Sequence, residues 1–356
     1  MVNVTPSPIK EYYIAYFDIL GYKEFFCKQP EKVPEFLNTI HDAIRRTNEH
    51  VGLVNHSPVI SKIGNIDIEI KIFSDNILLC MEALNEPIEQ VRLISFLQIV
   101  SDIQRGFIID YGLFVRGGIC KGKLSINDDY IFGQGLIDVV SMEDSAQFPR
   151  IIIDPKLITF LRQNLFFTQE EYDRALTIDK ATKKGTKVLS EDKVFYSRIL
   201  FFSQLLTSLN RGANQLTLQW PDEQWVLSYL GSVQASELLG KELVESLLQT
   251  LKNVSSSDYQ LASQPTQDID ILLKTHKERV ETELKKYGKN ADIAVGDTEA
   301  AKVREHILKK YIWVMAYHNQ MCVSYQKMSH FISTSCNCDK RFMKMTVEVF
   351  DDGTGK

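Results

Sequence analysis

Two short acidic segments constrain this chain more than any other feature: Phe17-Asp18-Ile19-Leu20-Gly21-Tyr22 and Lys71-Ile72-Phe73-Ser74-Asp75. The apolar run from Tyr12 to Phe17 reads as a buried strand that ends on a carboxylate. Ile66 to Phe73 and Ile77 to Met81 read as two strands joined by the tight turn Ser74-Asp75-Asn76. An acid at a strand end and an acid at a hairpin tip, on adjacent strands, can reach the same point in space. Two carboxylates that converge at neutral pH repel each other unless a cation lies between them. Taken singly, Asp18 reads as a helix N-cap and the turn as ordinary turn chemistry. Together they predict a two-metal phosphoryl-transfer site.

Around these segments the periodicity alternates. Tyr22 to His50 reads as a helix with an irregular start at Pro30 and Pro34, and a second helix opens near Asn85-Glu86-Pro87 and stops before Gly112. Leu113 to Lys121 is a strand, Asn127-Asp128-Asp129 a turn, Gly133 to Ala146 a helix and Arg150 to Asp154 a short strand. The order β-α-β-β-α-β, then α-β, predicts an α+β fold with helices on one face of an antiparallel-containing sheet, a ferredoxin-like or polymerase-palm core. Beyond Pro155 the chain reads as a largely helical extension over 156–350. Helical periodicity marks Val194 to Leu209, Glu237 to Leu251, Ile269 to Tyr287 and Thr298 to His318, with a Lys-rich surface loop from Lys180 to Asp192 and a disordered tail at 351–356. Trp313 and His318, at helical spacing, read as core.

Composition excludes several classes. The 356 residues carry a net charge of −5, without the basic footprint that nucleic acid or an anionic membrane surface attracts. No basic-then-apolar leader and no span of ~18 apolar residues is visible, so a cytoplasmic protein is expected. Cys27, Cys80 and Cys120 fall in apolar segments and read as free buried thiols, while Cys336-Asn337-Cys338 lacks the second ligand pair of a zinc site. Arg116-Gly117-Gly118-Ile119 puts glycines inside a strand, which marks close approach of another backbone or a ligand.

Tyr16-Phe17-Asp18-Ile19-Leu20-Gly21-Tyr22, Lys71-Ile72-Phe73-Ser74-Asp75, Arg116-Gly117-Gly118-Ile119 and Phe132-Gly133-Gln134-Gly135 resemble, in order and spacing, the motifs of class III nucleotidyl cyclases. The resemblance covers about residues 10–155. With Met142-Glu143-Asp144-Ser145-Ala146 ahead of Pro149-Arg150-Ile151, it is most similar to the pyrimidine cyclases of bacterial Pycsar anti-phage systems. It implies a cyclase that converts UTP or CTP to the 3′,5′-cyclic monophosphate and pyrophosphate, working as a homodimer that signals to a cyclic-nucleotide-responsive effector. It also implies two Mn²⁺ or Mg²⁺ ions bridged by Asp18 and Asp75, with the Ile19 carbonyl as a further ligand. One ion would activate the ribose 3′-hydroxyl and the other hold the β- and γ-phosphates. Phe17 and the Leu20, Gly21 and Tyr22 backbone would lie under the triphosphate.

The chain also departs from that pattern. Lys71 matches the base-reading lysine of the adenylate cyclases, but Tyr130 stands where they carry an aspartate, and Ile137 and Ser141 stand where they carry the asparagine and arginine that stabilise the transition state. Arg116 and Lys121 are then the candidates for the missing positive charge. Two other readings stay open: a catalytically silent nucleotide-binding module, or a purine cyclase or oligonucleotide synthase on the same palm.

Overall fold

The computed structural model describes residues 7–55, 66–84, 89–165, 167–233, 268–288 and 298–333. The helix start at 85–87, the helix at 237–251, Cys336, Cys338 and the tail at 351–356 lie outside them. At the centre of an eight-stranded sheet stands β1 (Lys10–Leu20), paired antiparallel with β3 (Asn76–Glu82) on one side and β4 (Phe114–Ile126) on the other. β2 (Glu69–Phe73) continues the sheet beyond β3, and β6 (Ile151–Ile153) pairs parallel with β4. β5 (Ile131–Phe132) pairs only with β4.

Both faces of β1 are apolar because both are covered. Tyr13, Ala15, Phe17 and Ile19 enter a core built with α2 (Val33–Asn55) and α3 (Glu89–Tyr111). Tyr12 and Ile14 enter a second cluster with Val139 of α4 (Gln134–Ala146). The expectation of helices on one face is therefore corrected: α4 covers part of the opposite face. Glycines make room for it. A Cβ on Gly118 would lie 2.5 Å from Met142 Cβ, and one on Gly122 would lie 2.4 Å from Gly135 Cα.

The first helical stretch is divided into α1 (Tyr22–Lys28), a 3₁₀ turn at Pro30–Lys32, and α2. α3, which the sequence pattern marks as one-sided, is buried on every side as far as Gln104. Some of its polar side chains pair along the helix: Gln98 Nε2 donates to Asp102 Oδ1 at 2.8 Å, and Arg105 pairs with Asp102 at 2.9 Å.

Beyond residue 155, α5 (Pro155–Leu161), α6 (Gln169–Lys183) and α7 (Ser190–Leu216) are followed by a small hairpin, β7 (Thr217–Gln219) and β8 (Trp225–Leu227). That hairpin was not anticipated. β8 pairs antiparallel with β6 and extends the central sheet. The loop expected at Lys180 to Asp192 shrinks to 184–189, because a Thr168–Glu171 capping box starts α6 and an Asp179–Lys183 pair at 2.7 Å supports its last turn. α8 (Ile269–Gly288) and α9 (Thr298–Ser324) complete the fold. Trp313 and Tyr317 of α9, Tyr229 and Leu273 bury themselves against Phe114 and Ile108, so Trp313 and His318 are core as expected. Among the described residues no helix is long and apolar enough to cross a membrane.

Candidate active site

Asp18 lies on the α4 face of the sheet, opposite Asn76 on β3 and Arg116 on β4. Asp75 stands in the β2–β3 turn next door, where Ser74 adopts φ 60. The turn is tied to β1, because the Ile19 N–H donates to the Asp75 main-chain carbonyl at 2.8 Å. Its side chain is oriented as well: Tyr16 Oη donates to Asn76 Oδ1 at 2.7 Å, and Asn76 Nδ2 donates to Asp75 Oδ1 at 3.2 Å. The structure thus brings the two predicted acids together. Tyr16 and Asn76, which orient the Asp75 carboxylate, were not singled out from the sequence, although the neighbouring Asp75 was a signal for Asn76.

Asp18, Ile19, Leu20, Gly21, Tyr22 and Asp75, with Lys23, Glu24 and Cys27, line an open concavity of ≈ 590 Å³. Gly21 has φ 81, a left-handed conformation that turns β1 into α1 and that a side chain would strain. α1 is only 7 residues long, so its dipole contributes little. Cys27 is exposed rather than buried as expected, because α1 turns Phe25 and Phe26 to the core. Phe17, expected beneath the triphosphate, is fully buried among the α2–α3 core residues and does not line this concavity.

Burial pushes the Asp18 carboxyl above the ordinary aspartate range, and the negative charges of Asp75 and Glu143 add to the shift. Arg116 and Lys310 pull in the opposite direction. Glu143 comes from α4, is 7% exposed, and forms an ion pair with the Arg116 guanidinium. The glycines of β4 allow this: α4 approaches closely at Gly118, which sets Glu143 over Arg116. Lys310 comes from α9. Neither Glu143 nor Lys310 was placed at the site by sequence reasoning, since nothing in local spacing connects them to Asp18.

Other candidates lie elsewhere. Lys121, opposite Tyr13 near the far end of β4, pairs with Glu11 at 2.8 Å and does not join the acids. Lys71 Nζ approaches the Asp128 carbonyl at 3.5 Å, next to the turn that carries Tyr130. The Tyr130 hydroxyl accepts from the Ser7 N–H at 2.7 Å and shares a hydrogen bond with Ser125 Oγ at 3.0 Å. Neither Lys71 nor Tyr130 lines the concavity. Ile137 and Ser141 lie on the exposed side of α4, Ile137 at 63% exposure.

The donor set fits a hard divalent cation. Among the described residues no cluster of three or more His, Cys, Asp or Glu converges as a closed metal cage. Two carboxylates with main-chain oxygens nearby match Mg²⁺ or Mn²⁺, which take one or two carboxylates and complete their shell with water and substrate phosphates.

No family model and no curated protein matches the chain. Among solved structures it is similar to the adenylyl cyclase CyaB from P. aeruginosa, at 12% sequence identity over 44% of this chain and 82% of that one, with a TM-score of 0.32. A likeness that distant leaves function to be read from the site itself.

Proposed function

We propose that this chain is a metal-dependent nucleotidyl cyclase that acts on a pyrimidine nucleoside triphosphate. The observation that carries the reading is the convergence of Asp18 and Asp75 in one concavity, with the Asp18 carboxyl held above its ordinary range by burial and by the neighbouring acids. Such a pair is poorly stabilised alone and well stabilised by divalent cations. Asp18 and Asp75, with the Ile19 carbonyl, would hold Mn²⁺ or Mg²⁺. When bound, the metal supplies Lewis-acid stabilisation of the phosphate chain and of the attacking 3′-oxygen. The chain's own residues do the positioning: Tyr16 and Asn76 fix the Asp75 carboxylate, and Gly21 opens the backbone beneath the phosphates. Arg116 is the adjacent fixed cation.

The preference for UTP or CTP rests on Tyr130 replacing an aspartate, and Lys71, near the same turn, is the second base-reading candidate. Both lie outside the concavity, which supports a composite site in which one copy supplies the acids and a second copy supplies the base readers. Phe73, Phe132 and Ile137, exposed at 53%, 76% and 63%, offer apolar surface for that second copy. In this reading residues 10–155 are the catalytic unit and the extension its support. The product would act on a cyclic-nucleotide-responsive effector in anti-phage defence.

Incubation of the protein with each of the four nucleoside triphosphates and Mn²⁺, products separated chromatographically, tests the proposal. A cyclic pyrimidine monophosphate is expected. Cyclic AMP alone would sink the pyrimidine assignment, linear oligonucleotides would indicate a synthase, and tight triphosphate binding without turnover would indicate a silent binding module.

A further inference from the structure

Two residues beyond Asp18 and Arg116, on the same face of the sheet, Leu20 stands opposite Phe114. The C-terminal helix α9 is fastened to that pair. Tyr311 meets the Phe114 ring edge-on with centroids 5.4 Å apart and stacks on Tyr287 at 5.8 Å on its other side. Leu20, Leu308 and Tyr311 join the same apolar cluster. A rigid aromatic contact therefore anchors the residue next to Lys310 two strand rows from Asp18, on its face of the sheet, although more than half the chain separates them in sequence.

Lys310 is half-buried, and among the described residues it makes no ion pair or hydrogen bond. Its ammonium senses Asp18, Glu143 and Arg116, and burial, followed by the Arg116 charge, pushes its pKa down. Arg116 is already committed to Glu143. Lys23 lines the concavity, whereas Lys310 stands behind it, close enough to act on the Asp18 charge; Lys23 is exposed and keeps its hydration. A partly desolvated ammonium without a bonded carboxylate contributes little to stability and is suited to meeting an anion.

We propose that Lys310, carried by the C-terminal helix, is a phosphate-binding cation of this site, donating to an anionic oxygen of the triphosphate chain. The inference rests on the reading of the Asp18–Asp75 concavity as a metal–triphosphate site, and it gives the helical extension a direct part in that site.

The test uses the full chain and inorganic tripolyphosphate, a probe without a base, with titration calorimetry of Mn²⁺ alone and then of tripolyphosphate at saturating Mn²⁺. Lys310→Met should bind Mn²⁺ as well as wild type or more tightly, since a nearby cation has been removed. It should bind tripolyphosphate roughly tenfold to a hundredfold more weakly, the range of one charge-assisted hydrogen bond. Lys310→Arg should recover most of the loss. These opposite effects on metal and phosphate are a signature that a packing role would not produce. Tripolyphosphate affinity within about twofold of wild type in Lys310→Met would overturn the proposal. So would thermal melts of Lys310→Met and Lys310→Gln well below wild type, which would make the lysine structural. Unchanged Mn²⁺ affinity in Asp75→Ala would instead overturn the reading of the site on which the proposal stands.

Discussion

Arg150 and Asp222 form an ion pair at 2.6 Å whose two ends live in different environments, the arginine side chain 2% exposed and the aspartate 38%. Arg150 Nε also donates to the Ala146 carbonyl at 3.0 Å, and the guanidinium lies over the rings of Phe148 and Trp313 at 5.2 and 5.6 Å. Its Nη1 has no hydrogen-bond partner among the described residues. Asp222→Ala should therefore strand a buried guanidinium, at the lower end of the penalty for breaking a buried pair, about 3 kcal/mol. Arg150→Met should leave an aspartate that is already wet and place a thioether between two aromatic rings, with a net cost of about 1 kcal/mol or less. The double variant should be no worse than Arg150→Met alone, a coupling of about 3 kcal/mol. Urea unfolding followed by circular dichroism, compared at constant slope, measures all three. An Arg150→Met variant as unstable as Asp222→Ala would refute the reasoning and show that stacking, not charge compensation, fastens α9 to the sheet.

Asp18→Asn should raise the melting temperature of metal-free protein at neutral pH. A carboxyl whose folded pKa is raised lowers stability as pH climbs from the ordinary aspartate range through the raised value, so wild type and variant should converge in acid. A lower neutral melting temperature for the variant, measured in EDTA, would contradict this. Gly21→Ala meets no atom within 4 Å of its new Cβ, so its cost should be backbone strain alone, about 1 kcal/mol in urea unfolding.

The acid pair was legible because each half is a local signal. The apolar run to Phe17 ends on Asp18, and Ser74-Asp75-Asn76 breaks two strand patterns. The strand-helix order was legible for the same reason. Glu143 and Lys310 were not, since their place is set by how closely α4 and α9 dock, and helix docking leaves no spacing in the chain. The covered second face follows from Gly118 and Gly122, whose meaning as clearance for α4 emerges only once Met142 and Gly135 face them. α3 misled in another way. Its apolar stripe was real, but α7 and α8 bury the polar side too, where Gln98 and Arg105 both bond Asp102.

The hairpin of β7 and β8 has a consequence for how the protein is made. Until Trp225–Leu227 leave the ribosome, the edge of Ile151-Ile152-Ile153 has no strand to pair with. At bacterial or eukaryotic elongation rates that wait lasts on the order of 4–15 s, much longer than the microseconds in which a hairpin forms. Through that interval the nascent chain presents an isoleucine-rich template open to strand addition by a neighbouring chain. The hairpin later closes that edge, and the sheet can be completed only after most of the polypeptide has been synthesised.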